Sequence, residues 1–227
     1  MSAPGTPPGP RIAIVIPCYN ESATLGAVIE GCREAGEVMV IDDGSTDTSV
    51  AIARDRGATV LSTPGRTGYD GAIEFGLRAA HAAGAQVVVT IDADGEHDPR
   101  HVAEFLAAHE RGAALVVGIR PRPQRLAERL VCGFCSHRFG IRDILCGMKG
   151  MTRQVLDSYF ADGRPNLVNT WPALLWRSGG GDVTQIAVGG TPRTDTPRFQ
   201  SRLRANLRIA SMLGPIRQLP APPGDRP

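Results

Sequence analysis

The chain has 227 residues, 42% hydrophobic and 21% charged, a composition for one α/β domain with a full core rather than a disordered polymer. A formal net charge of +2 is too small for a nucleic-acid binder. No apolar run reaches the roughly 18 residues that cross a bilayer, and five cysteines scattered at core-like positions point to a reducing cytoplasm rather than a disulfide framework.

Residues 1–10 are rich in Pro and Gly and are expected to be disordered, and they lack the basic and apolar regions of a secretory signal. The stretch RIAIVIP reads as a buried strand, followed by a helix over SATLGAVIEGCREA with Ser22 as its cap. VMVIDDG is a second strand, and the next helix is capped by Ser45 or Thr46. ATVLSTP, AQVVVTIDAD and AALVVGIR are further strands, separated by helices over GYDGAIEFGLRAAHAAG and PRHVAEFLAAHERG, the latter starting on Pro99. Such alternation with continuously apolar strands gives a mostly parallel sheet covered on both faces, which binds ligands at the carboxyl ends of its strands. The polar clusters PCYNE, DDGSTD, DADGEH and GIRPR all fall at those ends. After Arg120 the pattern loosens. Residues 124–140 read as a helix, DILCGMKGMTRQVLDSYF as a strand or loop and then a helix, and PNLVNTWPALLWRSGG as another helix. DVTQIAVGG is expected as an edge strand and SRLRANLRIASMLG as a final helix. The domain is therefore placed at 11–214, with 215–227 as a disordered tail.

The segment VVVTIDADGEHDP runs from an apolar strand into Asp92, Asp94, Glu96 and Asp98. The helix dipole accounts for Asp98. It does not account for Asp92 and Asp94, which flank one alanine and face the same way in extended chain. Two converging carboxylates suit a hard cation, Mg²⁺ or Mn²⁺, whose shell is completed by phosphate oxygens. At the second strand end, Asp42 and Asp43 precede Gly44, which permits a tight turn, and a carboxylate here suits a base N–H or ribose hydroxyls.

Taken together and in order, VIPCYNE, VIDDGSTD and TIDADGEHDP resemble glycosyltransferase family 2, with its GT-A fold, from about Arg11 to Arg153 and more weakly to Ile209. The stretches VVGIRP and IRDILCGMKGMTR are similar to the dolichyl- or polyprenyl-phosphate mannose or glucose synthase branch. The resemblance implies a metal-dependent hexosyltransferase that moves a sugar from a UDP- or GDP-sugar, with inversion. Pro17, Tyr19 and Glu21 would line the base and ribose, Asp43 would bind one of them with Asp42 nearby, and Asp92 would contact the donor. Asp94 would hold the metal with Glu96 as second ligand. Arg120 would bind phosphate, Arg129 (or Arg125) would stand near the transferring sugar, and Asp143 and Gly147 would shape the acceptor side.

The chain departs from the family in GRTGYDGAI, where relatives have a GKGxA segment; Arg66 takes the basic position, toward phosphate or ribose. At the start of the helix containing NLVNTWPALLW, relatives with hydroxyl acceptors carry an acidic residue. Here stand Asn166 and Asn169, neither of which takes up a proton, so an already ionised phosphate acceptor such as a polyprenyl phosphate is expected unless Asp143 or Asp162 supplies a base. A soluble hydroxyl acceptor and a non-catalytic nucleotide-sugar binder are the alternatives. A nucleotidyltransferase is disfavoured because PCYNE stands where its GxGTRL loop would be. Arg122, Arg125 and Arg138 read as solvated or phosphate-facing. Cys132, Cys135, His137 and Cys146 read as structural rather than as a zinc site, Trp171 and Trp176 as core or acceptor pocket, and His97 as a loop residue. The final helix carries Phe199, Leu203, Leu207, Ala210 and Leu213 among Arg198, Arg202, Arg204 and Arg208, so residues 198–213 read as a packed helix with a basic outer face or as a contact with the inner face of the membrane.

Overall fold

A computed structural model describes residues 11–121, 126–163, 169–189 and 202–223, with 202–205 described by backbone alone. Successive side chains of a strand face opposite ways, and in β1 (Ile12–Cys18) this sends Ala13 and Val15 into one core and Ile14 and Ile16 into another. β2 (Glu37–Asp42), β3 (Thr59–Ser62), β4 (Val87–Thr90) and β5 (Leu115–Ile119) alternate with α1 (Leu25–Cys32), α2 (Ser49–Asp55), α3 (Gly68–Ala82) and α4 (His101–Glu110). Then follow α5 (Leu126–Phe139), β6 (Lys149–Thr152), α6 (Arg153–Asp162), α7 (Trp171–Ser178), β7 (Val183–Ala187), α8 (Arg202–Ser211) and α9 (Leu213–Arg217). The seven strands form one sheet in the order β3-β2-β1-β4-β6-β5-β7. The sheet is parallel except at β6, which runs antiparallel between β4 and β5. Helices α1, α2 and α4 cover one face, and α3, α5, α6, α7 and α9 the other.

This order places the ligand crevice. The chain winds outward through β2 and β3 on one side of β1 and returns to β4 on the other, so the switch between β1 and β4 opens a cleft at their carboxyl ends. The antiparallel β6 begins where β4 ends, with Lys149 opposite Thr90. Residues just before β6 therefore meet those just after β4.

Two expected caps are differently used. The helices begin at Leu25 and Ser49, not at Ser22 and Ser45 or Thr46. Asp47 accepts from the backbone N–H groups of Ser22 (3.1 Å) and Ser49 (2.9 Å), and the Ser45 and Ser49 hydroxyls accept from the N–H groups of Asn20 (3.0 Å) and Glu21 (2.8 Å). The polar residues thus stitch the loop after β1 to the loop after β2. Asn20 adopts the left-handed φ of 55° that lets its side-chain oxygen accept from Thr46 N–H at 2.7 Å.

The expected boundary at 214 is corrected. α9 continues the domain, and Ile216 and Leu219 are buried in the core, exposed by 0% and 2%. Arg138 donates to the Leu219 carbonyl at 2.7 Å and Ser178 to that of Pro220 at 2.8 Å. Residues 1–10 and 224–227 lie outside the described residues. A chain ending at Gly214 loses two buried aliphatic side chains, worth roughly 3–6 kcal/mol together. Its urea midpoint is expected to fall by a corresponding amount in equilibrium unfolding, and an unchanged midpoint contradicts the packing of this segment.

Candidate functional site

The carboxyl end of β4 carries the acidic cluster. Asp92 is held from several sides. Its Oδ1 accepts from the Tyr69 hydroxyl at 2.8 Å, and its Oδ2 lies 3.9 Å from His97 Nε2. Gly147 abuts the same carboxylate so closely that an added Cβ would stand 2.0 Å from Oδ2, and a side chain at 147 therefore displaces Asp92. The Gly147 carbonyl accepts from Thr90 Oγ1 (2.7 Å) and Asn169 Nδ2 (2.9 Å), which pins this approach. Burial, then the charge of Asp94, pushes the Asp92 carboxyl up to about 6. Asp94 turns its Oδ1 back onto the Glu96 N–H at 3.0 Å, and burial raises the Glu96 carboxyl.

A cavity of ≈ 310 Å³ opens against these groups. Asp92, Glu96, Arg120, Gly147, Lys149 and Asn169 line it, and Glu128 of α5 and Arg208, Ile209 and Met212 from the C-terminal helices close it. Among the described residues no group of three or more His, Cys, Asp or Glu side chains is arranged to hold a metal unaided. The Asp92–Asp94 pair is nonetheless a hard oxygen donor set whose mutual repulsion a divalent cation relieves, so it fits Mg²⁺ or Mn²⁺ with part of the shell left to a ligand's phosphates.

Arg120 follows β5, and its guanidinium grips Asp143 with Nε at 2.8 Å and Nη2 at 3.0 Å, while its backbone N–H donates to the same carboxylate at 3.1 Å. Glu128 stands 3.6 Å from the guanidinium. Burial opposes ionisation of Asp143, but Arg120 holds its carboxyl below the usual range. Asp143, expected to shape the acceptor side or to supply a base, is engaged with Arg120 and is not among the residues that line the cavity. Asp162 is exposed at the end of α6, away from the cavity lining.

The nucleotide-side residues are divided. Tyr19 and Arg66 meet, with the guanidinium carbon 3.7 Å from the ring centroid. Pro17 is buried within β1, and Glu21 is half-buried in the loop beyond it. Asp42 is buried and accepts from Ser45 N–H at 2.9 Å. Asp43, expected to reach base or ribose, accepts instead from Thr63 Oγ1 (2.9 Å), Thr67 N–H (2.6 Å), Thr67 Oγ1 (2.8 Å) and Gly68 N–H (2.8 Å). Burial works against its charge, but these bonds hold its carboxyl below the usual range. These bonds tie the 63–68 loop to the end of β2.

Arg129 was expected near the transferring sugar. It lies on the exposed stripe of α5, whereas Glu128, one position earlier and about 100° around the helix, enters the cavity. Arg122, Arg125 and Asn166 lie outside the described residues, as do Arg198, Phe199 and the side chains of Arg202, Leu203 and Arg204. Arg138 packs against the chain's C-terminal segment. His97 is buried rather than on an open loop, and burial lowers its pKa. Cys132, Cys135 and Cys146 are buried free thiols, pushed up by burial to about 11, 12 and 12. Trp171 is in the core, and Trp176 packs on it and donates to the Asp182 carbonyl at 3.0 Å.

Lys149 was unassigned by the sequence, although it stands in the quoted GMKGMTR. It is fully buried, and its ammonium donates to the Cys146 carbonyl. Burial pushes it down to about 8 from an ordinary 10.5. The unfolded chain therefore binds this proton more tightly, and the cost to stability is fully present below pH 8 and gone above 10.5. A shift of that size corresponds to about 3 kcal/mol. Lys149→Met is expected to be more resistant to urea than the wild type at pH 7, by up to about that amount, with the advantage shrinking toward pH 10.5. A variant less stable than the wild type at pH 7 contradicts this.

The sequence model described as "Glycosyl transferase family 2" matches residues 13–128. An uncharacterized glycosyltransferase of Mycobacterium tuberculosis is 36% identical over 115 residues, 51% of this chain and 50% of that one. Polyprenol monophosphomannose synthase of Mycolicibacterium smegmatis is 30% identical over 172 residues, 66% of this chain and 64% of that one. The chain thus spans about half the length of the first of these curated relatives. A crystal structure of glucosyl-3-phosphoglycerate synthase from Mycobacterium tuberculosis, in complex with Mn²⁺ and uridine-diphosphate-glucose, superposes with a TM-score of 0.73 at 25% identity. It covers 91% of this chain and 79% of that one.

Proposed function

The chain belongs to glycosyl transferase family 2, and on that premise we propose that it transfers a hexose, with inversion, from a UDP- or GDP-sugar to a phosphate-bearing acceptor, a polyprenyl phosphate in the first instance. One observation carries the reading: Asp92 and Glu96, which flank Asp94 just beyond β4 at the switch point of the sheet, line a cavity that Arg120 and Arg208 also line. Pro17, Tyr19, Glu21 and Arg66 frame the nucleotide, with Asp42 and Asp43 holding the walls behind it. Asp94, with Asp92 or Glu96, would hold Mg²⁺ or Mn²⁺, which would supply positive charge against the leaving diphosphate. Arg120, fixed in place by Asp143, adds a preorganised positive charge on the same side. The acceptor oxygen bonds to the anomeric carbon as the bond to the diphosphate breaks on the opposite face.

The acceptor class is inferred from Asn169. At the head of α7 the residues that line the cavity are Asn169 and Thr170, an amide and a hydroxyl, neither of which takes up a proton, and a phosphate acceptor needs none removed. The relative named polyprenol monophosphomannose synthase supports the lipid form. So do the outward-facing Leu126 and Leu130 of α5 and Leu207 of α8, exposed by 68%, 58% and 62% on two helices that pack together at the cavity rim. They give residues 198–213 a route to peripheral membrane contact. No helix among the described residues is long and apolar enough to cross a membrane. A second reading, transfer to a hydroxyl of a small soluble acceptor, draws on Glu128, a carboxylate in the same cavity.

Two measurements check this. Asp94→Asn is expected to lower transfer at least a hundredfold with the thermal transition retained, and excess chelator should do the same to the wild type. Undiminished transfer in either case removes the metal from the mechanism. In an acceptor panel, polyprenyl phosphates are expected to be glycosylated and alcohols and free sugars not. Turnover of hydroxyls alone, lost in Glu128→Gln, establishes the second reading.

A further inference from the structure

Tyr69 lies in the GRTGYDGAI stretch, where the chain departs from the family pattern, and the diphosphate chemistry makes no use of it. Its side chain lines the cavity with the residue 41% exposed, and its hydroxyl gives its proton to Asp92. The same hydroxyl accepts from Asn169 Nδ2 at 3.2 Å, and the second Nδ2 proton goes to the Gly147 carbonyl. Both partners accept from this amide, so its orientation is fixed. Asn169 Oδ1 consequently faces neither partner. It is a buried acceptor without a hydrogen bond, on a residue 7% exposed that lines the cavity. Buried polar atoms in native proteins are satisfied with few exceptions, and an exception in a binding cavity marks a place for a ligand's donor.

We propose that Tyr69, Asn169 and Asp92 form the subsite that reads the transferred sugar ring, with Asn169 Oδ1 accepting from one of its hydroxyls and the Tyr69 ring lying against its C–H face. The inference rests on the nucleotide-sugar reading of the same cavity. The ligand class follows from the chemistry. An unmatched acceptor calls for a donor, and an ionised phosphate has no proton to give, so the group that meets Oδ1 is a hydroxyl and not part of the diphosphate. An aromatic side chain with an apolar body and a polar tip, beside an amide and a carboxylate, matches a pyranose, which presents an apolar face and a rim of hydroxyls. Asn169 is thereby a specificity-determining residue, and Tyr69 is a positioning residue for Asp92.

The test compares, by calorimetry with Mn²⁺, the affinities of UDP and GDP with those of UDP-glucose and GDP-mannose. For whichever base the wild type prefers, Asn169→Ala is expected to weaken the sugar conjugate at least tenfold while the bare diphosphate changes less than twofold. Tyr69→Phe keeps the ring and the space, and it serves even if Asn169→Ala fails to fold. It is expected to weaken the conjugate several-fold with the same indifference of the diphosphate. Equal effects on conjugate and diphosphate, or no effect of either variant, overturn the subsite while leaving the glycosyltransferase reading in place. A wild type that binds no diphosphate overturns both.

Discussion

Asp92 sets the terms for the crevice. Its carboxylate stands beside a second acid, Asp94, and the side chain within ion-pair distance is His97, whose pKa burial lowers, leaving it little charge to offer at neutral pH. A charge in that position is tolerable only with donors around it and a cation within reach. Tyr69 supplies a donor, and the positive charges of Lys149 and Arg120 favour the ionised carboxylate. Gly147 supplies room, because no residue with a Cβ fits against Oδ2. These groups come from α3, from the end of β5 and from the start of β6, so the condition on one carboxylate ties α3, β4, β5 and β6 to a common geometry.

The sheet topology is what makes that convergence cheap. Strand β6 enters antiparallel between β4 and β5, so its first residues lie at the carboxyl ends of its neighbours, and Gly147 and Lys149 reach Asp92 without a long loop. The C-terminal helices then close the cavity, with Arg208 bound to Asp70 of α3 at 2.6 Å and Met212 both buried and lining the cavity. Stability and site are built from the same parts here, and Lys149, which lines the cavity, is buried with a charge that costs folding energy below pH 8.

Much of this was legible in the sequence. The apolar strands and the acidic or polar groups at their ends follow from period-2 burial and from the parallel-sheet rule, and Asp92, Glu96 and Arg120 line one cavity beyond those strand ends. Residues whose meaning depends on partners distant in sequence were not legible. Asp43 looked like a ligand-facing acid, but the Thr63–Gly68 loop surrounds it. Asp143 looked like an acceptor-side acid, but it serves Arg120. Arg129 and Glu128 differ by one helical position, and no periodicity in a helix of mixed polarity says which faces inward. Tyr69 and Asn169 are 100 residues apart, and only the fold brings the amide onto the hydroxyl that bonds Asp92.

The central claim is that the acidic pair is half of a cation site and a nucleoside diphosphate is the other half. Electron paramagnetic resonance of Mn²⁺ titrated with the protein tests it directly. The account predicts that the free-ion signal persists with protein alone and is quenched when UDP or GDP is added, with Asp94→Asn abolishing the nucleotide-dependent quenching. Tight Mn²⁺ binding that ignores the nucleotide, or quenching that survives the loss of Asp94, would contradict it.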